Sequence, residues 1–588
     1  MRGQGLAGGS TPPGREARAM YFLGLAVDFD GTIAHDGVVR PETMAALRRL
    51  KETGRRILLV TGREVAAILP LLPDAALFDR IVAENGAVLY DPLARTERLL
   101  APPPPAQLLR LLRERKVEPI SAGHCILATW EPHQATVLEA IHDCGLELQI
   151  SFNKGAVMVL PSGVNKATGL RAALDELQIS MVNVIGAGDA ENDHAFLRAC
   201  GCSAAVGNAL PVVRRDADLP LAGLNGDGIV ELVARIIEED VALAPDGKHG
   251  PWLGRDRAGR SVHLRPGQGS TLVVGPSGAG KSAFATALTE RIAERQLEFC
   301  VIDPEGDYLE LENAVRLGSL DAPPHATEAL RLVSQAGVNV VVNTQAMTLQ
   351  ERQSLFTGLL HQTAHLRART GRPHWLLLDE AHELLPAGPP RGPALLDQDL
   401  SATVLITYRP ASLSREALQT VRLVLALGPA PEAMIREAAG LLGCAPPSAP
   451  ATGGCEALCW RPGADAAPIP VTLEPPHQDH RRHAGKYAVG DVGDGRSFYF
   501  HDLRRGRFTK ANNLHAFLDL ACGIDDDCWE RHLRAGDFSA WFLHVIKDRG
   551  LAEEAAQVEQ DRTLGAADSR RLIRKAIWRR YAAPSQCP

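Results

Sequence analysis

The stretch Gly275-Pro276-Ser277-Gly278-Ala279-Gly280-Lys281-Ser282 constrains this chain more than any other, because it suits one local architecture. It follows the apolar run 271–274 and precedes residues 283–295, whose spacing predicts a helix. A strand, a glycine-rich loop and a helix in that order form a phosphate cradle of backbone N–H groups at a helix N-terminus. Lys281 would reach the outer phosphates and Ser282 a bound Mg²⁺. Trp375-Leu376-Leu377-Leu378 is a second apolar strand, and it ends in the acids Asp379 and Glu380. Asp379 would hold the metal's water shell and Glu380 would polarise the attacking water. The expectation is an α/β domain over 269–476 that binds ATP, built on the strands TLVVG, EFCVIDP, VNVVVN, HWLLLDE, ATVLITY and VRLVLALG.

That domain accounts for about a third of the chain. At 588 residues the sequence is too long for one hydrophobic core, since cores stop growing near roughly 250–300 residues. From 23 to 237, short apolar runs again alternate with helical patterns, the habit of a doubly wound sheet whose ligands sit at strand ends. Four separated motifs punctuate it: Asp28-Phe29-Asp30-Gly31-Thr32, Thr61-Gly62-Arg63, Lys166, and Gly188-Asp189-Ala190-Glu191-Asn192-Asp193. Two carboxylates two residues apart on a strand share a face. Asp28 can attack phosphorus, and Asp30 can protonate the leaving oxygen and then activate water. Thr61, Gly62, Lys166 and Asn192 are the candidate phosphate contacts. Asp28, the Asp30 backbone carbonyl and Asp189 are candidate Mg²⁺ ligands, with Asp193 as a further ligand or a support for one. Lys166 standing alone would read as a solvated surface lysine, and the 189–193 acids as a capped turn.

In this order the four motifs resemble the haloacid dehalogenase superfamily of phosphatases, in its Cof-like and sucrose-phosphate-phosphatase-like branch. ENG at 84–86 and VGNAL at 206–210 are further landmarks of that resemblance. It implies a Rossmann-like core over 20–240 and a phosphoric monoester hydrolase working through an aspartyl-phosphate. Residues 92–160 break the rhythm and predict a small α+β cap, similar in size to that of archaeal-type phosphoglycolate phosphatases. A small phosphorylated acid is then the first expected substrate and a sugar phosphate the next, with His124, Trp130, His133 and Lys154 as cap residues that could line the pocket. In the second domain, Asp303-Pro304-Glu305-Gly306-Asp307-Tyr308 resembles an element of HerA/FtsK-like ATPases. A glutamine-type sensor is missing where the chain has Thr407-Tyr408-Arg409-Pro410. That resemblance implies self-assembly through the P-loop domain. It also keeps open an alternative, a nucleic-acid-associated ATPase with an accessory phosphatase.

Composition decides some of the rest. The net charge of −7 gives no general attraction to nucleic acid or an anionic membrane, so nucleic acid is not the favoured partner. No apolar run is long enough to span a bilayer. Eleven cysteines without zinc-type spacing read as reduced thiols in a cytoplasmic protein. Residues 1–19 read as a disordered tail, with Met20 an alternative start. Residues 241–268 read as a linker with entry strands, and the proline-rich 462–476 as a loop. Residues 477–588 read as a basic, aromatic, mainly helical segment, its aromatics forming a small core and its arginines a solvated face.

Overall fold

The computed structural model describes residues 20–245, 247–265, 267, 269–276, 279–308, 311–388, 400–448, 450, 456–477, 497–502, 507–546 and 548–581. The tail 1–19, Ser277 and Gly278 of the glycine-rich loop, and the basic stretch around 480–496 lie outside the described residues. The chain divides into two compact units, Met1–His249 with Ala364–Arg372, and Gly250–Thr363 with Pro373–Pro588.

The first unit is built on eight strands: β1 (Gly24–Asp28), β2 (Arg56–Val60), β3 (Arg80–Ala83), β4 (Val88–Asp91) and β5 (Thr96–Leu99), then β10 (Val184–Gly188), β11 (Cys202–Ala205) and β12 (Leu219–Pro220). Between the two groups the chain makes β6 (Ser121–Ala122), β7 (Leu127–Trp130), β8 (Leu148–Asn153) and β9 (Ala156–Pro161). The core sheet runs β12-β11-β10-β1-β2-β3-β4-β5 and the smaller sheet β8-β9-β7-β6. β1 pairs in parallel with both β10 and β2. The chain order reverses on its two sides, and the crevice at such a reversal is where doubly wound sheets bind ligands. The residues of β1 and β10 are all buried, as strands covered on both faces require.

The small sheet is the predicted cap. With helices Ala106–Glu114 and Gln134–Asp143 it encloses a core of its own, including Leu108, Leu112, Val137, Ile141 and Val159. One boundary differs from expectation. Residues 92–99 do not belong to the insertion, because β4 and β5 form an antiparallel hairpin that extends the core sheet. The exposed side chains of β5 mark it as an edge strand, so the patterning had no buried face to reveal it.

The second unit carries β13 (Trp252–Asp256), β14 (Ser261–His263), β15 (Ser270–Val274), β16 (Phe299–Asp303), β17 (Val315–Leu317), β18 (Val340–Asn343), β19 (Trp375–Leu378), β20 (Thr403–Thr407), β21 (Val421–Ala426), β22 (Glu456–Trp460) and β23 (Ile469–Leu473). They form one sheet, β14-β13-β23-β22-β21-β15-β20-β19-β16-β18-β17. Its parallel part holds every strand foreseen for the ATP-binding domain. The entry strands β13 and β14 join through β23, antiparallel. The stretch 462–476 is therefore not all loop: β23 passes through it, with Pro470 opposite Leu458.

Among the described residues the last segment is a hairpin, β24 (Phe498–Asp502) with β25 (Arg507–Ala511), followed by five helices. Phe498, Phe500, Phe517, Trp529, Phe538 and Phe542 are buried together, so its aromatics form a core, as expected. The nine described cysteines are free thiols. Among the described residues no helix is long and apolar enough to cross a membrane.

Candidate active site

Asp28 ends β1 as a nearly buried carboxylate, and Lys166 reaches it from the first turn of helix Lys166–Leu177. The helix start is fixed by a capping box in which Asn165 Oδ1 accepts from the N–H groups of Ala167 and Thr168. Lys166 Nζ donates to Asp28 Oδ1 at 2.5 Å and to Asp193 Oδ1 at 2.6 Å, and the lysine is 1% exposed. It is thus no surface lysine but the cation that joins the first motif to the fourth. Burial works against its charge, and Asp193 and Asp28 outweigh that and raise its pKa. Burial, Asp193 and Asp189 push Asp28 up to about 8, with Lys166 opposing them.

Asp193 is committed on both oxygens. While Oδ1 holds Lys166, Oδ2 accepts from the backbone N–H of Asp189 and of Ala190 at 2.8 and 2.9 Å. That geometry makes it the brace of the fourth motif. Asp189 accepts from Thr32 Oγ1 at 3.2 Å and from Lys154 Nζ at 2.6 Å. Gly31, at φ 84°, turns the chain after Asp30; a Cβ there would stand 2.3 Å from Asp189 Oδ2, so only glycine fits. Asp28, Asp189 and Asp193 offer carboxylate oxygens within 4.8 Å of one another. An all-oxygen set of buried like charges suits a hard divalent cation, so Mg²⁺ fits these residues.

Asp30 points elsewhere. Arg63, from the second motif, grips it with two hydrogen bonds of 2.7 Å each, Nε to Oδ2 and Nη2 to Oδ1. Thr61 is fully buried at the end of β2, and its Oγ1 accepts from Arg63 N at 3.2 Å. Beside Gly62, Asn192 Nδ2 donates to Asn85 Oδ1 at 2.9 Å. Asp30, His35, Arg63, Lys154 and Asn208 line a cavity of about 590 Å³ next to the strand ends.

Glu84-Asn85-Gly86, a landmark in the sequence, has a structural part to play here. All three have left-handed φ, at 48°, 55° and 102°. The Glu84 carboxylate accepts from the backbone N–H groups of His124, Cys125 and Ile126 at 2.9, 2.7 and 3.2 Å, clamping the cap to the core. Gly86 presses on the start of the Lys166 helix, where a Cβ would fall 2.0 Å from Asn165 O. Of the expected cap residues, Lys154 reaches the acids. His124 instead lies 3.4 Å from Glu97, Trp130 is about half exposed, and His133 Nε2 contacts Glu118 O at 3.1 Å.

In the second unit Lys281 and Ser282 open helix Lys281–Glu294 directly after the glycine-rich loop. Lys281 Nζ donates to the carbonyls of Gly275 and Pro276 at 3.0 Å each, and Ser282 Oγ to Asp307 Oδ2 at 3.1 Å. Gly280 has the left-handed φ of 88° that lets the loop enter the helix. Asp379 follows β19 directly and is buried, with Tyr308 Oη donating to its Oδ2 at 3.2 Å. Burial, Asp307, Glu380 and Asp303 raise Asp379 well above the usual carboxylate range. Asp303 is raised to about 7 by burial and Asp307, against the backbone N–H groups it accepts from. Glu380 is left-handed at φ 45°, a strained backbone of the kind that gathers at functional sites. At the end of β20, Thr407 Oγ1 and His382 Nδ1 are 3.1 Å apart, a pairing that the sequence did not announce.

Comparison with known proteins finds a family match for two stretches of the chain. Residues 25–123 and 126–233 match the haloacid dehalogenase-like hydrolase family, and residues 268–377 match the central domain of helicase HerA. A phosphoglycolate phosphatase of Methanothermobacter thermautotrophicus is 30% identical over 222 residues, covering 36% of this chain and 98% of that protein. The pyridoxal phosphate phosphatase of Escherichia coli is 26% identical over 264 residues, covering 36% of this chain and 96% of that protein. Among solved structures, a haloacid dehalogenase-like hydrolase from Bacteroides thetaiotaomicron is 18% identical and covers 37% of this chain and 99% of that chain, with a TM-score of 0.33.

Proposed function

Because the chain belongs, through residues 25–233, to the haloacid dehalogenase-like hydrolases, we propose that its phosphoric monoester hydrolase activity runs through an aspartyl-phosphate on Asp28 and acts on a small phosphorylated acid. The observation that carries this reading is Lys166 bridging Asp28 and Asp193 at the strand ends, with Asp30 held beside them by Arg63.

An Asp28 oxygen attacks phosphorus, the bond to the leaving oxygen breaks, and Asp30 supplies that oxygen's proton. Asp30 then takes a proton from water, whose oxygen attacks phosphorus and releases phosphate from Asp28. Lys166 balances charge on the nucleophile, Asp193 fixes Lys166, and Thr61, Gly62 and Asn192 receive the phosphoryl oxygens. Arg63 must loosen its grip whenever Asp30 carries the proton, since a guanidinium fork favours the ionised acid. Mg²⁺ held by Asp28, Asp189 and the Asp30 carbonyl would supply positive charge against the phosphate. The substrate class rests on two supports. Cationic Arg63 and Lys154, with His35, line the adjoining cavity, and the relatives include a phosphoglycolate phosphatase. Phosphate release from phosphoglycolate, sugar phosphates and pyridoxal phosphate, measured with Mg²⁺ on the full chain and on Asp28→Asn, tests it. A preference for an uncharged leaving group contradicts the substrate class.

The fused domain is a HerA-type ATPase domain. In this reading it binds ATP with Mg²⁺ through Lys281, Ser282 and Asp379, hydrolyses it with Glu380, and is the part through which copies assemble in the cytoplasm. The match to helicase HerA favours a second reading, an ATPase acting on nucleic acid. Most of the described aromatics of the last segment are buried, which removes those from a stacking surface for bases. ATP turnover with and without single- and double-stranded DNA separates the two.

A further inference from the structure

Lys154 stands at the tip of the β8–β9 hairpin. Asn153 pairs with Ala156, which leaves Lys154 and Gly155 as the two central residues of the turn, both left-handed at φ 47° and 85°. Glycine and asparagine take that conformation cheaply and lysine does not. The strained turn delivers an ammonium into the acid cluster. Lys154 Nζ lies 2.6 Å from Asp189 Oδ2 and 3.4 Å from the Asp30 carbonyl oxygen. Those are two of the oxygens that the proposed function assigns to the divalent cation. The space is tight: a Cβ on Gly31 would stand 2.6 Å from Lys154 Nζ and 2.3 Å from Asp189 Oδ2. An ammonium and a divalent ion cannot both occupy it, because two positive charges would meet over the same pair of oxygens. The lysine has somewhere to go, since its side chain is 47% exposed and already borders the cavity of about 590 Å³.

We propose that Lys154 and the divalent cation exchange at Asp189 and the Asp30 carbonyl, so that metal loading releases the tip of the cap. The proposal rests on the reading of this site as a metal-dependent hydrolase. Lys154 is then a positioning residue. Before loading, it holds the hairpin against the core and balances the charge of Asp189. After loading, the ammonium swings into the cavity and the hairpin is free to admit an ester. The cap thus senses the metal through one side chain, without contributing a ligand of its own.

Calorimetric titration of Mg²⁺ into the full chain, without ester or nucleotide, reads the exchange directly. Lys154→Met keeps the stem and removes the charge, and it should bind Mg²⁺ roughly three- to tenfold more tightly than the native chain. Lys154→Arg, which keeps a cation at the tip, should stay near the native affinity. Hydrogen exchange of backbone amides 150–156 supplies a second readout. In the native chain Mg²⁺ should lower their protection, whereas in Lys154→Met they should exchange fast with or without metal. Equal Mg²⁺ affinity in the native chain and Lys154→Met, or hairpin protection in the native chain that ignores Mg²⁺, overturns the exchange. Asp189→Asn separates that failure from a deeper one. If it takes up Mg²⁺ as the native chain does, the metal reading of the site is wrong, and the exchange falls with it.

Discussion

At the end of β1 the acids Asp28, Asp189 and Asp193 sit against two lysines, whereas after β15 Lys281 donates to the carbonyls of Gly275 and Pro276. Both places lie where a strand of a parallel sheet has its neighbours on either side, and the proposed function gives both of them phosphate to handle. In the first, buried ion pairs set the geometry, and each acid has a side chain that fixes its direction. In the second, backbone N–H groups do more of the work: Asp303 accepts from the amides of Glu305, Gly306, Asp307 and Tyr308 at 2.7 to 3.2 Å. The difference teaches where each site is vulnerable. A single side-chain change should disorganise the first, while the second should keep its shape and lose affinity.

The largest effect is expected from Asp28→Asn, because an amide cannot attack phosphorus. Its kcat on phosphoglycolate should fall by about 10³-fold or more, and a loss below tenfold would break the account of the first site. Next comes Lys166→Met, which leaves the buried Asp28 and Asp193 carboxyl groups without the cation that joins them. Urea unfolding of the first unit's transition should show a loss of about 3–5 kcal/mol. An unchanged midpoint would mean that the ion pairs do not organise this site. Lys281→Ala sharpens the contrast from the other side. ATP affinity, read by calorimetry, should fall roughly 10–100-fold, with phosphatase kcat and the unfolding midpoint both preserved.

A smaller and graded effect follows from protonation. Metal binding at Asp28 requires its ionised form, and burial with Asp193 and Asp189 pushes that carboxyl up to about 8. A proton must therefore leave on loading at lower pH. Mg²⁺ affinity should climb by about tenfold per pH unit up to about pH 8 and level off above it. A flat profile from pH 6 upward would place Asp28 in its ionised form throughout. The smallest change is Tyr308→Phe, which removes one hydrogen bond to Asp379 and should cost about 1–2 kcal/mol of stability. A larger loss would show that side chains also frame the second site.

Much of this was legible in the sequence because strands buried on both faces spell themselves out. Val27, Leu59, Ile185 and Val273 lie in runs that allow no other placement, and the acids and glycines that follow them mark the strand ends. Lys166 needed its three companion motifs to be separated from a surface lysine. What stayed hidden has a physical cause in each case. β5 has an exposed face and so no alternation to read, and Pro470 disguised β23 as loop. The Glu84 clamp is made by backbone amides of residues 124–126, which leave no trace in side-chain identity. Residues 364–372 group with the first unit although they lie within the second domain's sequence; Ser180 N donates to Thr370 O at 2.9 Å. No local pattern encodes a partner almost two hundred residues away.

The central claim is that Asp28 carries the phosphoryl group, and Asp30→Asn makes that visible, since the second half-reaction then lacks its base. The full-length variant, mixed with phosphoglycolate and Mg²⁺, quenched in acid and digested, should yield the peptide containing Asp28 heavier by one phosphoryl group, with the modification located on that aspartate. An unmodified Asp28 peptide alongside continuing phosphate release, or a phosphoryl group found on another residue, would contradict the account.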